Sequence, residues 1–122
     1  MSPGTPVLEP PETVLSRTYT KRLGILRRKP GMSLEAFRTH WLEVHAALCV
    51  KLPGLRRYSV NFVDRERFEH FPYDGFSELW FDSEDALRAA LDSDEGRTLL
   101  ADLPNFAGDI HPIVAVEHVM LA

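Results

Sequence analysis

His45 is the side chain whose type and placement best suit acid–base chemistry. It follows Trp41 by four residues and precedes Leu48 by three, so it falls within the apolar arc of a predicted helix. Partial burial there favours the neutral imidazole, which stays available as a base near neutral pH. The alternative is a histidine that hydrogen-bonds a nearby backbone group and only packs, and the spacing alone favours that second interpretation.

Tyr58 is the second candidate, because it opens the alternating segment that follows Pro53-Gly54. Its phenol could donate a hydrogen bond to a substrate carbonyl or enolate. The alternative is a core aromatic whose hydroxyl lies at the rim. We expect His45 and Tyr58 to meet in a cavity, where His45 moves a proton and Tyr58 holds the developing oxyanion. The side chains predicted to line that cavity are Trp41, Phe62 and Trp80.

Two further strands carry candidate ligand-binding residues. Glu78 and Trp80 share one face of the third predicted strand, and a carboxylate among aromatic rings should have a raised pKa. Alternatively, Glu78 pairs with an arginine such as Arg57 or Arg22. His118 is the candidate on the last strand, where Glu117 points to the opposite face, so the two do not form a dyad with each other.

The histidines and the cysteine do not have the spacing of a metal site. His40 and His45 are five apart, which is about 140° around an α-helix, so they should not share a metal as an i, i+4 pair would. His111 and His118 fall on opposite faces of a strand. Cys49, the one cysteine, is predicted to be a buried small hydrophobe. No metal is predicted, although a haem needs only one histidine ligand.

The elements that position these side chains follow from periodicity and from breakers. Alternation predicts strands at residues 19–29 and 55–63, and further strands are predicted at 75–81 and at the valine-rich segment 111–121. Ser33 is a good N-cap for a helix whose apolar side is Leu34, Phe37, Trp41, Val44, Leu48 and Leu52. Ser83 caps a second helix that Gly96 should interrupt, leaving a short helix near 94–103. The aromatic loop 64–74 is predicted to act as a lid.

The element order β-α-β-β-α-β predicts an α+β domain of ferredoxin-like topology. Two helices cover one face of such a sheet, and the other face must also bury its apolar side chains. A second copy of the same sheet would do so, which predicts a homodimer with two-fold symmetry.

Composition restricts the function classes. The 122 residues fit one domain, and the net charge of −4 argues against a nucleic-acid groove. No stretch is apolar enough for a membrane span, and one cysteine suits the cytoplasm. Residues 1–18 are proline-rich and predicted to be a flexible arm, or alternatively one that packs on a partner subunit. The domain itself is predicted to cover 19–122.

Several segments together resemble the EthD family, from about residue 21 to the end. The most specific block runs from Phe37 to Tyr58 and includes Trp41-Leu42-Glu43-Val44-His45 and Leu52-Pro53-Gly54-Leu55-Arg56-Arg57-Tyr58. Shorter matches lie at residues 28–33, 78–81 and 116–119. The resemblance implies a dimeric α+β barrel and maps a family histidine onto His45.

The resemblance also implies a function class. Relatives in the broader group include methylmuconolactone isomerase, small polyketide cyclases, and fungal dehydratases and decarboxylases that typically need no cofactor. We therefore expect a cofactor-free isomerase, cyclase or lyase acting on a small cyclic, aromatic or polyketide-type molecule, with His45 as acid/base. The alternatives are a non-catalytic binding protein that serves an oxidative pathway and a haem-binding monooxygenase.

Overall fold

One antiparallel sheet of four strands organises the domain. The computed structural model describes residues 18–122, so the predicted arm lies, except for Thr18, outside the described residues. The strands are β1 (Thr18–Arg28), β2 (Arg57–Phe62), β3 (Gly75–Phe81) and β4 (Ala107–His118), in the sheet order β2-β3-β1-β4. Every neighbouring pair is antiparallel. The predicted fold class is therefore confirmed, although β4 begins and ends earlier than the expected 111–121.

The helices lie in the two connections that lead into β2 and β4. The first connection holds α1 (Leu34–Thr39), a π-helical segment (His40–His45) and α2 (Ala46–Cys49), which run on continuously. The second holds α3 (Glu84–Asp92), α4 (Asp94–Asp102) and a 3₁₀ turn (Leu103–Asn105). Across residues 18–122 no helix has the length and apolar character needed to cross a membrane.

The first helix begins as predicted and then departs from α geometry. The Ser33 hydroxyl accepts a hydrogen bond from the backbone N–H of Ala36 at 3.0 Å. Further along, the N–H of Ala46 reaches back five residues to the carbonyl of Trp41. This wider turn changes which side chains face inward, because each π turn takes one residue more than an α turn.

The buried row of this helix is Phe37, Trp41, His45 and Cys49. In an α-helix a repeated spacing of four drifts by about 40° at each step. The π-helical segment removes that drift, so all four side chains face the sheet. The prediction that Val44 points inward was wrong, since its side chain is 45% exposed. The burial predicted for His45 and Cys49 is confirmed.

The break between α3 and α4 lies at Ser93, so the short helix predicted near 94–103 is confirmed as α4. Ser93 ends α3 and caps α4, accepting a hydrogen bond from the N–H of Gly96 at 3.0 Å. A Cβ on Gly96 would lie 2.3 Å from the carbonyl oxygen of Ala90. The glycine therefore lets α4 start against the end of α3, rather than interrupting a helix.

The helices cover one face of the sheet and leave the other open. Leu26, Leu79 and Phe81 lie on the covered face, where they belong to the core. The open face carries an apolar group of Leu23, Ile25, Phe76 and Ile113. The loop that was expected to act as a lid lies against this open face, where Phe68, Phe71 and Tyr73 border a groove with Leu23 and Ile25.

Candidate active site

A buried carboxylate at the end of α4 joins two histidines of the first helix. Asp102 Oδ2 accepts a hydrogen bond of 2.9 Å from His45 Nδ1. His40 Nε2 donates to both carboxylate oxygens at 3.0 Å. Asn105 Nδ2 completes the set with a bond of 2.9 Å to Oδ1. One carboxylate therefore orients two imidazole rings that come from a different part of the chain.

The π-helical segment explains how both histidines reach the same group. Winding with i to i+5 hydrogen bonds narrows the angle between residues five apart, so their side chains can reach a group on the same side of the helix. His40 and His45 occupy the first and last positions of that segment. The expectation that they point about 140° apart assumed α geometry and was wrong. The ring of Phe106 packs against both imidazoles, with centroid distances of 4.8 Å to each.

The hydrogen bond to Asp102 fixes the form of His45. An ionised carboxylate only accepts, so Nδ1 carries the proton, and in the neutral ring Nε2 has the lone pair. Burial lowers the pKa of His45 below its ordinary value, although Asp102 opposes this, and the charges of His40 and Arg22 add to the lowering. His45 is therefore a neutral base with a defined tautomer at neutral pH.

Asp102 itself stays ionised. Burial alone would raise the pKa of this carboxyl group, but the hydrogen bonds from Asn105, His45 and His40 outweigh burial and hold the pKa below its ordinary value. The arrangement matches a base that is oriented by a third group, which is the geometry used in acid–base and nucleophilic catalysis.

A small cavity lies between this pair and the sheet. Its volume is about 20 Å³, enough for about one water molecule. The polar side chains that line it are Arg22, Trp41, His45, Cys49, Tyr58 and Ser77. Trp41 Nε1 and the Tyr58 hydroxyl are buried and make no hydrogen bond of normal geometry among residues 18–122, although Trp41 and Cys49 lie close enough to the hydroxyl to influence the pKa of Tyr58. Such groups are costly to bury, so they mark a place where a bound molecule would supply the missing acceptor.

Two lining groups stay protonated at neutral pH. Burial raises the pKa of Tyr58, which keeps its phenol a hydrogen-bond donor. Burial also raises the pKa of Cys49 to about 12, so its thiol is a poor nucleophile.

Comparison with known proteins places the chain in a family. The sequence profile of the EthD domain matches residues 29–110, more than half of the chain. The chain belongs to the EthD domain family. An ethyl tert-butyl ether D (EthD) family protein from Bacillus halodurans is 25% identical, with a TM-score of 0.68 over 84% of this chain and 99% of that one. A search of curated proteins gives no match.

Other solved structures support the fold of this EthD domain. HapK from Hahella chejuensis is 16% identical and has a TM-score of 0.66 over 84% of this chain and 95% of HapK. A protein of unknown function from Thermobifida fusca, described as dimeric and ferredoxin-like, is 18% identical. Its TM-score is 0.63 over 84% of this chain and 94% of that one. At these identities the likeness concerns the fold alone.

The EthD domain brings together three of the residues selected from sequence. Trp41, His45 and Tyr58 all line the cavity. Phe62, which was also predicted to line the cavity, does not line it but contacts Trp41 edge to face, with ring centroids 5.6 Å apart. Strand parity separates Tyr58 from Asn61, which bonds to Glu78 on the open face at 3.2 Å.

Trp80, which was predicted to line this cavity, does not lie at it, and neither do the candidate binding residues Glu78 and His118. Strand parity puts Glu78 and Trp80 on the open face, where Lys21 bonds to Glu78 at 2.9 Å. Trp80 Nε1 donates to Glu117 at 2.8 Å. His118 is exposed at the end of β4. These side chains lie on the opposite side of the sheet from His45 or at its end.

The expected arginine partner and raised pKa of Glu78 were also wrong. Burial does oppose ionisation of Glu78, but hydrogen bonds from Lys21, Ser59 and Asn61 outweigh it and hold its pKa below the ordinary value. Its cationic partner is Lys21, which also bonds to Glu117 at 3.0 Å.

Sequence reasoning missed Asp102. The available signal was an acidic residue among the leucines of the segment Leu99-Leu100-Ala101-Asp102-Leu103. An acid at that position is almost never buried without a partner, which should have directed the search to the histidines. His40 was judged weak because α geometry was assumed for its helix.

Proposed function

We propose that this EthD domain binds a small cyclic, aromatic or polyketide-type molecule between helix and sheet and moves a proton on it without a cofactor. The observation that carries the proposal is the hydrogen bond of 2.9 Å between the buried pair His45 and Asp102, next to a cavity with unpaired donors. This combination supplies a base, a group that orients it, and donors for an oxyanion.

The proton moves through His45 Nε2. This nitrogen takes a proton from a carbon next to a substrate carbonyl, and Asp102 stabilises the imidazolium that results. The electron pair of the broken C–H bond moves into the carbonyl, forming an enolate. The Tyr58 hydroxyl and Trp41 Nε1 are available to donate to that oxygen, since neither makes a hydrogen bond of normal geometry within residues 18–122. The imidazolium then returns the proton to another carbon, or to a leaving hydroxyl group in a dehydration.

The cavity has to open before such a molecule enters. A volume of about 20 Å³ admits water and excludes a ring. Leu100, Leu103 and Ile110 also line the cavity and are partly exposed, whereas Trp41 and His45 are buried. Solvent therefore reaches the cavity from the side of α4 and β4, and we expect substrate to enter there.

Deuterium exchange tests the acid–base role. Cyclic 1,3-diketones and aromatic ketones are incubated with the protein in D₂O, and loss of the proton next to the carbonyl is followed by NMR. The variant His45→Gln should slow the enzyme-dependent exchange by about a hundred- to ten-thousand-fold while staying folded. The exposed His70 supplies the control His70→Gln, which should leave exchange unchanged.

The outcomes separate the alternatives. If His45→Gln exchanges protons at the rate of the unaltered protein, the acid–base role is refuted. If ligands bind but the unaltered protein catalyses no exchange, the chain is a binding protein without chemistry. A Soret band after mixing with haem would instead support the oxygenase alternative.

We also propose that the chain forms a homodimer through the open face of the sheet. A structural relative is described as dimeric, and the open face carries an apolar groove bordered by Leu23, Ile25 and Phe76. Light scattering should give about twice the chain mass of 13.9 kDa. The variant Ile25→Asp should yield monomers, and a monomeric unaltered protein at micromolar concentration would contradict the proposal.

A further inference from the structure

Arg22 brings a positive charge into the candidate site. It lies on β1 and faces the helices, and its side chain lines the cavity together with His45 and Tyr58. Its Nη1 atom lies 3.7 Å from the position that a Cβ on Gly24 would occupy. The guanidinium therefore folds along the strand, across the space that the glycine leaves free.

The guanidinium of Arg22 has no anionic partner in the described part of the chain. Between Thr18 and Ala122, no carboxylate lies within salt-bridge distance of it, and no side chain accepts a hydrogen bond from it. The adjacent Lys21, on the open face, bonds to Glu78 and Glu117. A partly buried cation is normally paired, since removing it from water is costly. The missing partner is therefore the second sign, besides the unpaired donors, that the cavity receives a ligand.

We propose that Arg22 binds a carboxylate group of the molecule that occupies this cavity, so that the substrate is an organic acid. A guanidinium binds a carboxylate through two parallel hydrogen bonds, and this bidentate pairing fixes the orientation of the ligand as well as neutralising its charge. The substrate would place its carboxylate at Arg22 and its reacting carbon at His45. The inference deepens the proposed function and rests on it for the site, but the binding of an acid is measurable without any turnover.

Binding of a carboxylate at Arg22 would also change the pKa of His45. The charged groups that face His45 are Asp102, His40 and Arg22, while Cys49 and Tyr58 remain neutral. Arg22 lowers the pKa of His45 through its charge. A carboxylate bound at Arg22 would cancel that effect, and the pKa of His45 would rise. The pKa of His45 therefore reports on carboxylate binding at Arg22, whereas an arginine with a purely structural role would give no such shift.

The experiment compares acids with neutral molecules of the same shape. The probes are acetate with acetamide and benzoate with benzamide, titrated into the full-length protein and followed through the His45 ring signals by NMR. The variants are Arg22→Gln, which removes the charge, and Arg22→Lys, which keeps the charge but not the two-pronged geometry. Arg88→Gln is the control, because Arg88 is exposed on α3 and pairs with Glu84.

We expect the carboxylates to bind at least about tenfold more tightly than the amides and to raise the pKa of His45. Arg22→Gln should remove that preference, Arg22→Lys should weaken it in part, and Arg88→Gln should leave it unchanged. Removing an unpaired cation should not unfold the domain. If Arg22→Gln fails to fold, the preference for carboxylate over amide is measured in Arg22→Lys alone, where it should be weakened.

Equal affinity for acid and amide, no binding of either carboxylate, or an undiminished preference in both Arg22 variants would overturn the inference. A failure of the proposed acid–base function would be distinguishable from a failure of the carboxylate site. If His45→Gln leaves proton exchange intact while Arg22→Gln removes carboxylate binding, the acid site stands and the acid–base role does not.

Discussion

Replacement of Asp102 by asparagine tests the centre of the site with little change in shape. The carboxylate accepts from His45, His40 and Asn105. An asparagine has one accepting oxygen and one donating nitrogen, so it can keep the bond from Asn105 and lose at least one of the histidine bonds. If its nitrogen faces His45, the imidazole must accept at Nδ1 and carry its proton on Nε2. That tautomer has no free lone pair in the cavity.

The cost in stability follows from the bonds that are lost. A hydrogen bond to a charged group contributes about 1.5–3 kcal/mol, and two histidine bonds depend on the charge of Asp102. Relief from burying that charge offsets part of the loss. We therefore expect Asp102→Asn to lower the free energy of unfolding at neutral pH by about 2–4 kcal/mol, which corresponds to a melting temperature lower by roughly 10 °C.

The pH dependence gives the decisive assay. Because the pKa of Asp102 is held below its ordinary value of 3.8, its stabilisation is complete above that pH and disappears as pH falls through the folded-state pKa. Thermal melts should show the full difference between Asp102→Asn and the unaltered protein near about pH 7 and little difference near about pH 2. Asp82→Asn is the control, since Asp82 is more exposed and pairs with Arg56 at 2.7 Å. A difference that is absent, or that persists unchanged in acid, would refute the reasoning.

Three further substitutions test the roles of Tyr58, His45 and Gly96 through proton exchange and through stability. Tyr58→Phe should reduce proton exchange while leaving the melting temperature equal or higher, because it removes a buried hydroxyl that makes no hydrogen bond of normal geometry. A large loss of stability would mean that this hydroxyl is strongly bonded in the folded protein. Burial lowers the folded-state pKa of His45 below 6.5, so stability falls as pH drops below 6.5. His45→Gln should flatten that part of a melting profile between about pH 5 and 8. Gly96→Ala should cost roughly 1–3 kcal/mol in a denaturant titration, because its Cβ would lie 2.3 Å from a backbone oxygen, whereas the exposed Thr98→Ala should cost little.

The sequence predicts local features of this domain well. Strand-like sequence patterns identify all four strands, and the face that packs against helices is most completely buried in β3. Serine caps locate the starts of two helices, at Ser33 and Ser83, since a hydroxyl there satisfies an otherwise unpaired N–H. The β-α-β-β-α-β order then leads to the fold, which depends on little more than short connections and right-handed packing.

The site is less predictable, because it depends on contacts distant in the sequence. His45 and Asp102 are 57 residues apart, and no periodicity connects them. Whereas Asp102 was missed, Trp80 was assigned to the site although it lies elsewhere. It was predicted to line the cavity, but it packs beside Lys21 and Arg57 on the other face. Strand parity relative to Tyr58 would have separated them if the pairing of Arg57 with Trp80 had been known.

The π-helical segment shows why local and distant structure cannot be separated at this site. The wider turn has poorer hydrogen-bond geometry than an α turn, so local preference alone disfavours it. Its effect is to place His40 and His45 on the same side of the helix, where Asp102 bonds to both. Those bonds stabilise the segment, and the segment in turn makes them possible. A shift of α4 that moved Asp102 would therefore change the tautomer of His45 and the support of the π turn together. Because Leu100 and Leu103 line the cavity on either side of Asp102 in the sequence, opening the cavity for a substrate acts on the same element that orients the base.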